Sequence, residues 1–312
     1  MPVVLDPDAA AVYNAFLEAN RPPYESGTPA QAREMYLAAR FATNPEPPEL
    51  ESVKPLSIPA PHGSIPARIY TPKRLRNTSG LAPCLVFFHG GGFVIGDLDS
   101  HDVACRQLAY EGELIVISVD YRLAPEHRFP AAPEDAIAAT KWVAAHAKEL
   151  GVDAARIFVG GDSAGGNLAA VTALAARETG PALAGQLLIY PATDFAMNHP
   201  SHSEPETSLL LTHSVIKWFI DHYMGDADRN DWRASPARAT LAGLPPAYVL
   251  VAGADPLRDE GNEYADRLKQ AGVVVTYRFF PGQFHGFFTM GKLLNQANIA
   301  ATEISAWLKA QG

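Results

Sequence analysis

Cysteine is scarce in this chain: Cys84 and Cys105 are its only two among 312 residues. Two thiols exclude a disulfide framework. They read as small buried hydrophobes in a reducing compartment, for which we expect the cytoplasm. Positive charge is in deficit as well. Lys and Arg number 25 against 34 Asp and Glu, a net charge of −9, which disfavours nucleic acid or an anionic membrane as partner unless a local basic stripe compensates. The one basic cluster, Lys73-Arg74-Leu75-Arg76 running into Asn77-Thr78-Ser79-Gly80, reads as a solvated loop. No apolar run approaches the roughly 18 residues that span a bilayer. The opening Met1-Pro-Val-Val-Leu-Asp-Pro-Asp meets acidic residues at once, unlike a secretory signal. Internal repeats and low-complexity tracts are missing. So are H-E-x-x-H spacing, G-x-G-x-x-G and G-K-[ST]. We therefore expect no metal, no cofactor, no nucleic acid and no stable membrane association.

What is present is ordinary for a soluble enzyme: 47% hydrophobic and 19% charged residues. A chain of this length buries roughly three quarters of its unfolded surface and needs no staple. Residues 1–50 predict two short amphipathic helices, one capped by Asp8 and one opened by Thr28-Pro29. Neither can form a core alone. From residue 51 the pattern is strand–helix alternation. Cys84–Phe88 and Leu114–Val119 are continuous apolar runs suited to parallel strands buried on both faces. Further strands are expected at Val53–Ile58, Ala67–Tyr70, Arg156–Gly160, Gln186–Tyr190, Ala247–Val251 and Val273–Phe279. Helices are expected at Asp102–Glu111, Ala131–Leu150, Ser163–Glu178, Leu257–Ala271 and Asn295–Ala310. This succession predicts one mostly parallel, doubly wound sheet flanked by helices. Residues 195–243 interrupt it with no strand run but with an aromatic helix, His213–Met224. An insertion of this kind reads as a lid. We expect 1–50 with 195–243 to form a discontinuous helical cap, and 51–194 with 244–312 the α/β catalytic domain.

Gly161-Asp162-Ser163-Ala164-Gly165 fits G-x-S-x-G, directly after one expected strand and at the start of a helix, the context of a nucleophile elbow. The helix N-terminus turns free N–H groups toward a developing anion. His89-Gly90-Gly91-Gly92-Phe93 follows the strand Cys84–Phe88, and its glycines let the backbone approach a ligand. A tetrahedral intermediate needs two or three such donors. The candidates are the N–H groups of Gly91, Gly92 and Ala164.

A serine nucleophile needs a base, and the base a carboxylate. In the elbow architecture these follow in the order Ser, acid, His. Of ten histidines, His62, His89, His101, His127 and His146 precede Ser163, and His199, His202, His213 and His222 fall in the insertion. Only His285 follows the last expected strand, in Pro281-Gly-Gln-Phe-His-Gly-Phe. The acid is expected at the end of the preceding strand, at Asp255; its rivals Asp259 and Glu260 already belong to the next helix.

Four segments, His89-Gly-Gly-Gly-Phe, Gly161-Asp-Ser-Ala-Gly-Gly-Asn, Asp255-Pro-Leu-Arg-Asp-Glu and His285-Gly-Phe, resemble the bacterial hormone-sensitive-lipase-like carboxylesterases, family IV. Tyr121-Arg-Leu-Ala-Pro-Glu resembles a further family segment, with Arg122 and Glu126 expected to brace it as an ion pair. The likeness spans nearly the whole chain. It implies an α/β-hydrolase fold, no cofactor, short- to medium-chain ester substrates, and Gly91, Gly92 and Ala164 as oxyanion donors. Related enzymes often pair through the last strand, so a homodimer through Val273-Val-Val-Thr-Tyr stays open. The chain reads as a serine carboxylesterase; an amidase and a non-catalytic small-molecule receptor are the alternatives. Candidate pocket walls are Phe16, Tyr36, Phe41, Phe93, Leu209, Leu210, Trp218 and Phe219, most of them equally suited to the core of the cap.

Overall fold

The computed structural model describes residues 3–74 and 80–311, so residues 75–79 of the basic cluster lie outside the described residues. Eight strands, β1 (Ser52–Ala60), β2 (Gly63–Thr71), β3 (Ala82–Phe88), β4 (Ile115–Val119), β5 (Val152–Asp162), β6 (Gly185–Ile189), β7 (Ala247–Ala254) and β8 (Val275–Phe284), form one sheet. Their spatial order is β1-β2-β4-β3-β5-β6-β7-β8. The β1–β2 and β2–β4 pairs are antiparallel, and every other neighbouring pair is parallel. From β3 the chain passes first to β4 on one side and then to β5 on the other. The carboxyl ends of β3 and β5 therefore flank the point where strand order reverses, where open α/β sheets bind ligands.

Helices α3 (Asp102–Gly112) and α8 (Asn295–Gln311) cover one face, while α4 (Ala131–Ala145), α5 (Ala164–Thr179) and α7 (Arg258–Gln270) cover the other. Strand β3 shows why its run is uninterruptedly apolar. Cys84, Val86 and Phe88 pack into the core with α4, α5 and α7, and Leu85 and Phe87 into the core with α3 and α8. The period of two thus serves two cores at once.

Some boundaries differ from the sequence reading. Helix α4 ends at Ala145, where the Trp142 carbonyl accepts from both the N–H and Nδ1 of His146. Strand β5 starts four residues before Arg156. Strand β8 runs on to Phe284 through an irregularity opposite Ala252 and Ala254, so His285 follows it directly.

Three helices lie outside the two layers: α1 (Pro7–Ala19), α2 (Pro29–Thr43) and α6 (His213–Met224). Thr28 caps α2 as expected: its Oγ1 accepts from the Gln31 N–H, and Gln31 Oε1 accepts from the Thr28 N–H. Asp8 does not cap α1. It sits inside the first turn, and its Oδ2 accepts from the Asn295 N–H, so it caps α8 instead. Arg33 of α2 donates to the carbonyls of Val94 and Ala124 and pairs with Glu126 at 2.7 Å. Arg122 and Glu126 therefore do not pair with each other. Arg122 grips Asp135 in α4 through Nε and Nη2 instead. The segment 195–243 contains α6 and two single-turn 3-10 helices but no strand.

Candidate active site

Strand β5 delivers Ser163 on a turn so tight that its φ is +57° and ψ −116°. A non-glycine residue held there costs on the order of 1–3 kcal/mol and persists only where its surroundings enforce it. The flanking glycines show what enforces it. A Cβ on Gly161 would stand 2.2 Å from the Phe88 carbonyl oxygen, and one on Gly165 only 1.8 Å from the same atom. The elbow is thus pressed against the end of β3. Asn167 fastens the start of α5 by donating to the carbonyls of Ala192 and Ala234.

His285 Nε2 lies 2.8 Å from Ser163 Oγ, and its Nδ1 lies 2.8 Å from Asp255 Oδ2. A carboxylate can only accept, so Nδ1 carries the proton and the Nε2 lone pair faces the serine hydroxyl. Asp255 is fully buried, and its Oδ1 accepts from the Leu257 N–H, which fixes the carboxylate plane. The rival acids are engaged elsewhere. Asp259 accepts from the Ser201 N–H and Arg258 Nε. Glu260, its carboxyl pushed up by burial, pairs with His202 at 2.7 Å and accepts from the Thr193 N–H. His199, His202 and Glu260 offer potential ligand atoms within 4.8 Å of one another, a grouping that sequence spacing did not signal. Glu260 and His202 already satisfy each other there.

The glycine loop after β3 closes the other side. Gly91 and Gly92 have φ of +122° and +59°. A Cβ on Gly92 would strike the Phe219 ring of α6 at 2.3 Å. The N–H groups of Gly91, Gly92 and Ala164 donate to no acceptor among the described residues. His89 braces the loop: Nδ1 donates to the Gly90 carbonyl, the ring stacks on Tyr121 at 4.3 Å, and the Tyr121 hydroxyl donates to the His89 carbonyl. Burial pushes its imidazole down to about 4, so it stays neutral. Asp162 accepts from the Gly90 N–H and faces His101 at 3.2 Å. Burial alone would raise this carboxyl, but His101, Arg40 and the Gly90 N–H hold it below its ordinary range.

Above Ser163 is a cavity of about 1010 Å³ whose walls include residues of α1, α2 and α6. Phe16, Tyr36, Phe93, Leu209, Leu210 and Phe219 line it. Phe93 is wedged in place by stacking on Tyr223 at 4.0 Å. Two candidates are not brought to it. Phe41 is exposed and borders a separate charged groove, and Trp218 packs on His222 and Phe219. Sequence reasoning missed two residues. Tyr190, at the end of β6, packs its ring 4.7 Å from that of His285. Arg40 lines the cavity from α2, where Ala32, Tyr36 and Arg40 form the buried stripe. A cation on the inward i, i+4, i+8 face of a helix was the available signal.

An eight-stranded sheet with a serine elbow, a histidine and a carboxylate at its carboxyl edge defines a hydrolase of the α/β class. The comparisons agree: residues 85–289 match a family described as having the alpha/beta hydrolase fold. The chain is 44% identical to the carboxylic ester hydrolase LipN of Mycobacterium tuberculosis over 288 residues, 89% of this chain and 76% of that protein. It is 38% identical to an ethyl acetate hydrolase of Pseudomonas putida, covering 94% and 95%. Among solved structures, an ester hydrolase from the metagenome of Lake Arreo, complexed with a bipyridine phosphonate derivative, superposes with a TM-score of 0.94 at 41% identity, covering 98% and 99%. The chain belongs to the α/β-hydrolase family, in its bacterial hormone-sensitive-lipase-like branch of carboxylesterases.

Proposed function

We propose that this carboxylic ester hydrolase works through Ser163 as nucleophile, His285 as base and then acid, and Asp255 as the carboxylate that orients and stabilises the imidazole. The observation carrying this is the unbroken Asp255–His285–Ser163 chain, 2.8 Å at each link, beside three unspent backbone N–H groups. Ser163 Oγ attacks the ester carbonyl as its proton passes to His285 Nε2. The oxyanion is met by the N–H groups of Gly91, Gly92 and Ala164. The bond to the alcohol breaks as His285 returns the proton to the leaving oxygen. Water then gives its proton to His285 and attacks the acyl-serine, the acid departs, and Ser163 recovers its hydrogen.

Helices α1, α2 and α6 act in this reading as one cap, built from 1–50 and 195–243 over the catalytic domain 51–194 and 244–312. Its apolar walls accept acyl chains of roughly 2–8 carbons, each buried CH₂ gaining about 0.8 kcal/mol until the cavity is full. Among the described residues no helix is long and apolar enough to cross a membrane. Both cysteines are free and buried, which fits a reducing cytoplasm. Strand β8 lies at the sheet edge with Phe279, and Val274 just before the strand, exposed, the edge through which two copies would pair. A fluorescent phosphonate tests the assignment. It labels the wild type and leaves Ser163→Ala unlabelled, whereas equal labelling of both would move the nucleophile elsewhere. Ser163→Ala and His285→Ala each lower kcat by several orders of magnitude, and the double variant little further; additive losses contradict a shared role.

A further inference from the structure

Arg40 is a cation without a counter-ion in the wall of an apolar cavity. It is 7% exposed, in the last turn of α2, and forms no ion pair among the described residues. Its Nη1 donates to Thr289 Oγ1, and its Cζ lies 4.6 Å above the centre of the Tyr36 ring. Nε is buried without a partner. The Tyr36 side chain is a further hydrogen-bonding neighbour of the guanidinium, and Nη2 lies 3.7 Å from where a Cβ on Gly286, the residue after His285, would stand. The anion nearest in influence is Asp162, but its Oδ1 already faces the Gly90 N–H and His101, and it does not reach ion-pair distance of Arg40.

Nε and Nη2 form one edge of the guanidinium, with N–H bonds set to grip both oxygens of a carboxylate. This protein uses that edge repeatedly. Arg278 holds Glu303 through it at 2.7 and 2.6 Å, Arg122 holds Asp135 at 2.9 and 2.8 Å, and Arg233 holds Asp231 at 3.1 and 2.7 Å. In Arg40 alone of these four the edge meets no carboxylate, its Nε is unpartnered, and it lines the same cavity as Ser163 and His285. A desolvated cation with an idle donor and no counter-ion favours a ligand that supplies the missing acceptor.

We propose that Arg40 is an anion-recognition residue of the substrate cavity, and that the enzyme accepts esters carrying a free carboxylate at a distance from the scissile bond. Monoesters of dicarboxylic acids are the class that presents such a group on the acyl side. This rests on the esterase reading above and adds a substrate class to it. Tyr36 and Thr289 hold the guanidinium in place, so a carboxylate meets donors already oriented, while the remainder of the chain lies on apolar walls.

The test compares charged and neutral esters of matched shape, with acid release followed by titration. Monomethyl glutarate against methyl 5-methylhexanoate places the carboxylate on the acyl side. Carboxymethyl butyrate against isobutyl butyrate places it on the alcohol side. Arg40→Gln is expected to lower the charged-to-neutral ratio of kcat/KM by about 10–100-fold in one pair, the pair that identifies the side, and Arg40→Lys to restore part of it. An equal effect of Arg40→Gln on all four esters would make Arg40 a structural brace and overturn the proposal. Hydrolysis of the neutral esters alone by the wild type would also overturn it while leaving the esterase assignment intact. Hydrolysis of none of the four would refute the esterase reading itself.

Discussion

Asp120 offers a stability test that can be worked through from its surroundings. It follows β4, its N–H donates to the Pro66 carbonyl, and its half-buried carboxylate accepts no hydrogen bond from a described residue. Burial pushes its carboxyl up to about 6, with Asp97 and Asp99 adding to the rise and Arg68 opposing it. In the unfolded chain an aspartate titrates near 3.9. Below that pH both states hold the proton, and the group contributes nothing. As pH rises from about 4 to about 6, the unfolded chain releases the proton while the folded one retains it, so stability falls. Above about 6 the penalty is complete: about 2 pH units at about 1.4 kcal/mol each gives nearly 3 kcal/mol, or about 2 after allowing for residual solvent contact. Asparagine copies the protonated shape without the charge. Asp120→Asn should therefore be the more stable protein at pH 8 by about 2 kcal/mol, with the difference vanishing near pH 4. Urea unfolding midpoints of both proteins at pH 8, 6 and 4 measure it, with activity on p-nitrophenyl butyrate confirming the native fold. A constant gap at all three values, or a less stable variant at pH 8, would refute the reasoning.

Asp255→Asn should keep the fold yet lower kcat about 10³–10⁴-fold by favouring the wrong His285 tautomer, whereas Glu260→Gln should act on stability far more than on kcat; the reverse pattern would reassign the acid. Across p-nitrophenyl esters from acetate to palmitate, kcat/KM should peak between about 2 and 8 carbons. A maximum at palmitate, or a jump in rate when an emulsion forms, would overturn the cap reading. Activity should survive EDTA, because in the proposed mechanism backbone N–H groups meet the oxyanion and the His199–His202–Glu260 grouping has no role. Loss on chelation with recovery on added zinc would sink the serine mechanism. Gly92→Ala should lower kcat about 10–10³-fold and cost about 1–3 kcal/mol of folding stability, since the added Cβ, at a positive φ, strikes the Phe219 ring and displaces a proposed N–H donor; an unchanged kcat would remove Gly92 from the proposed oxyanion site.

Sequence by itself determined the alternating elements and the mostly parallel sheet, and it pointed to Ser163, Asp255 and His285 as the candidates that the fold brings together. Each of those signals is local: a run buried on two faces must be apolar throughout, an elbow pressed on the Phe88 carbonyl must have glycines on both sides, and chain order places the proposed acid and base at successive strand ends. The tertiary structure alone decided which distant groups meet. Arg122 turned from Glu126 to Asp135, and Glu126 to Arg33, 93 residues away. Asp8 capped α8 instead of α1. Trp218 packed against its own helix while Arg40 came to line the cavity. An ion pair or a cap needs only a partner of the right chemistry within reach, and many residues of the chain qualify. Which of them arrives depends on how α1, α2 and α6 settle on the sheet, and that is fixed by the packing of whole surfaces, not by any short stretch of residues.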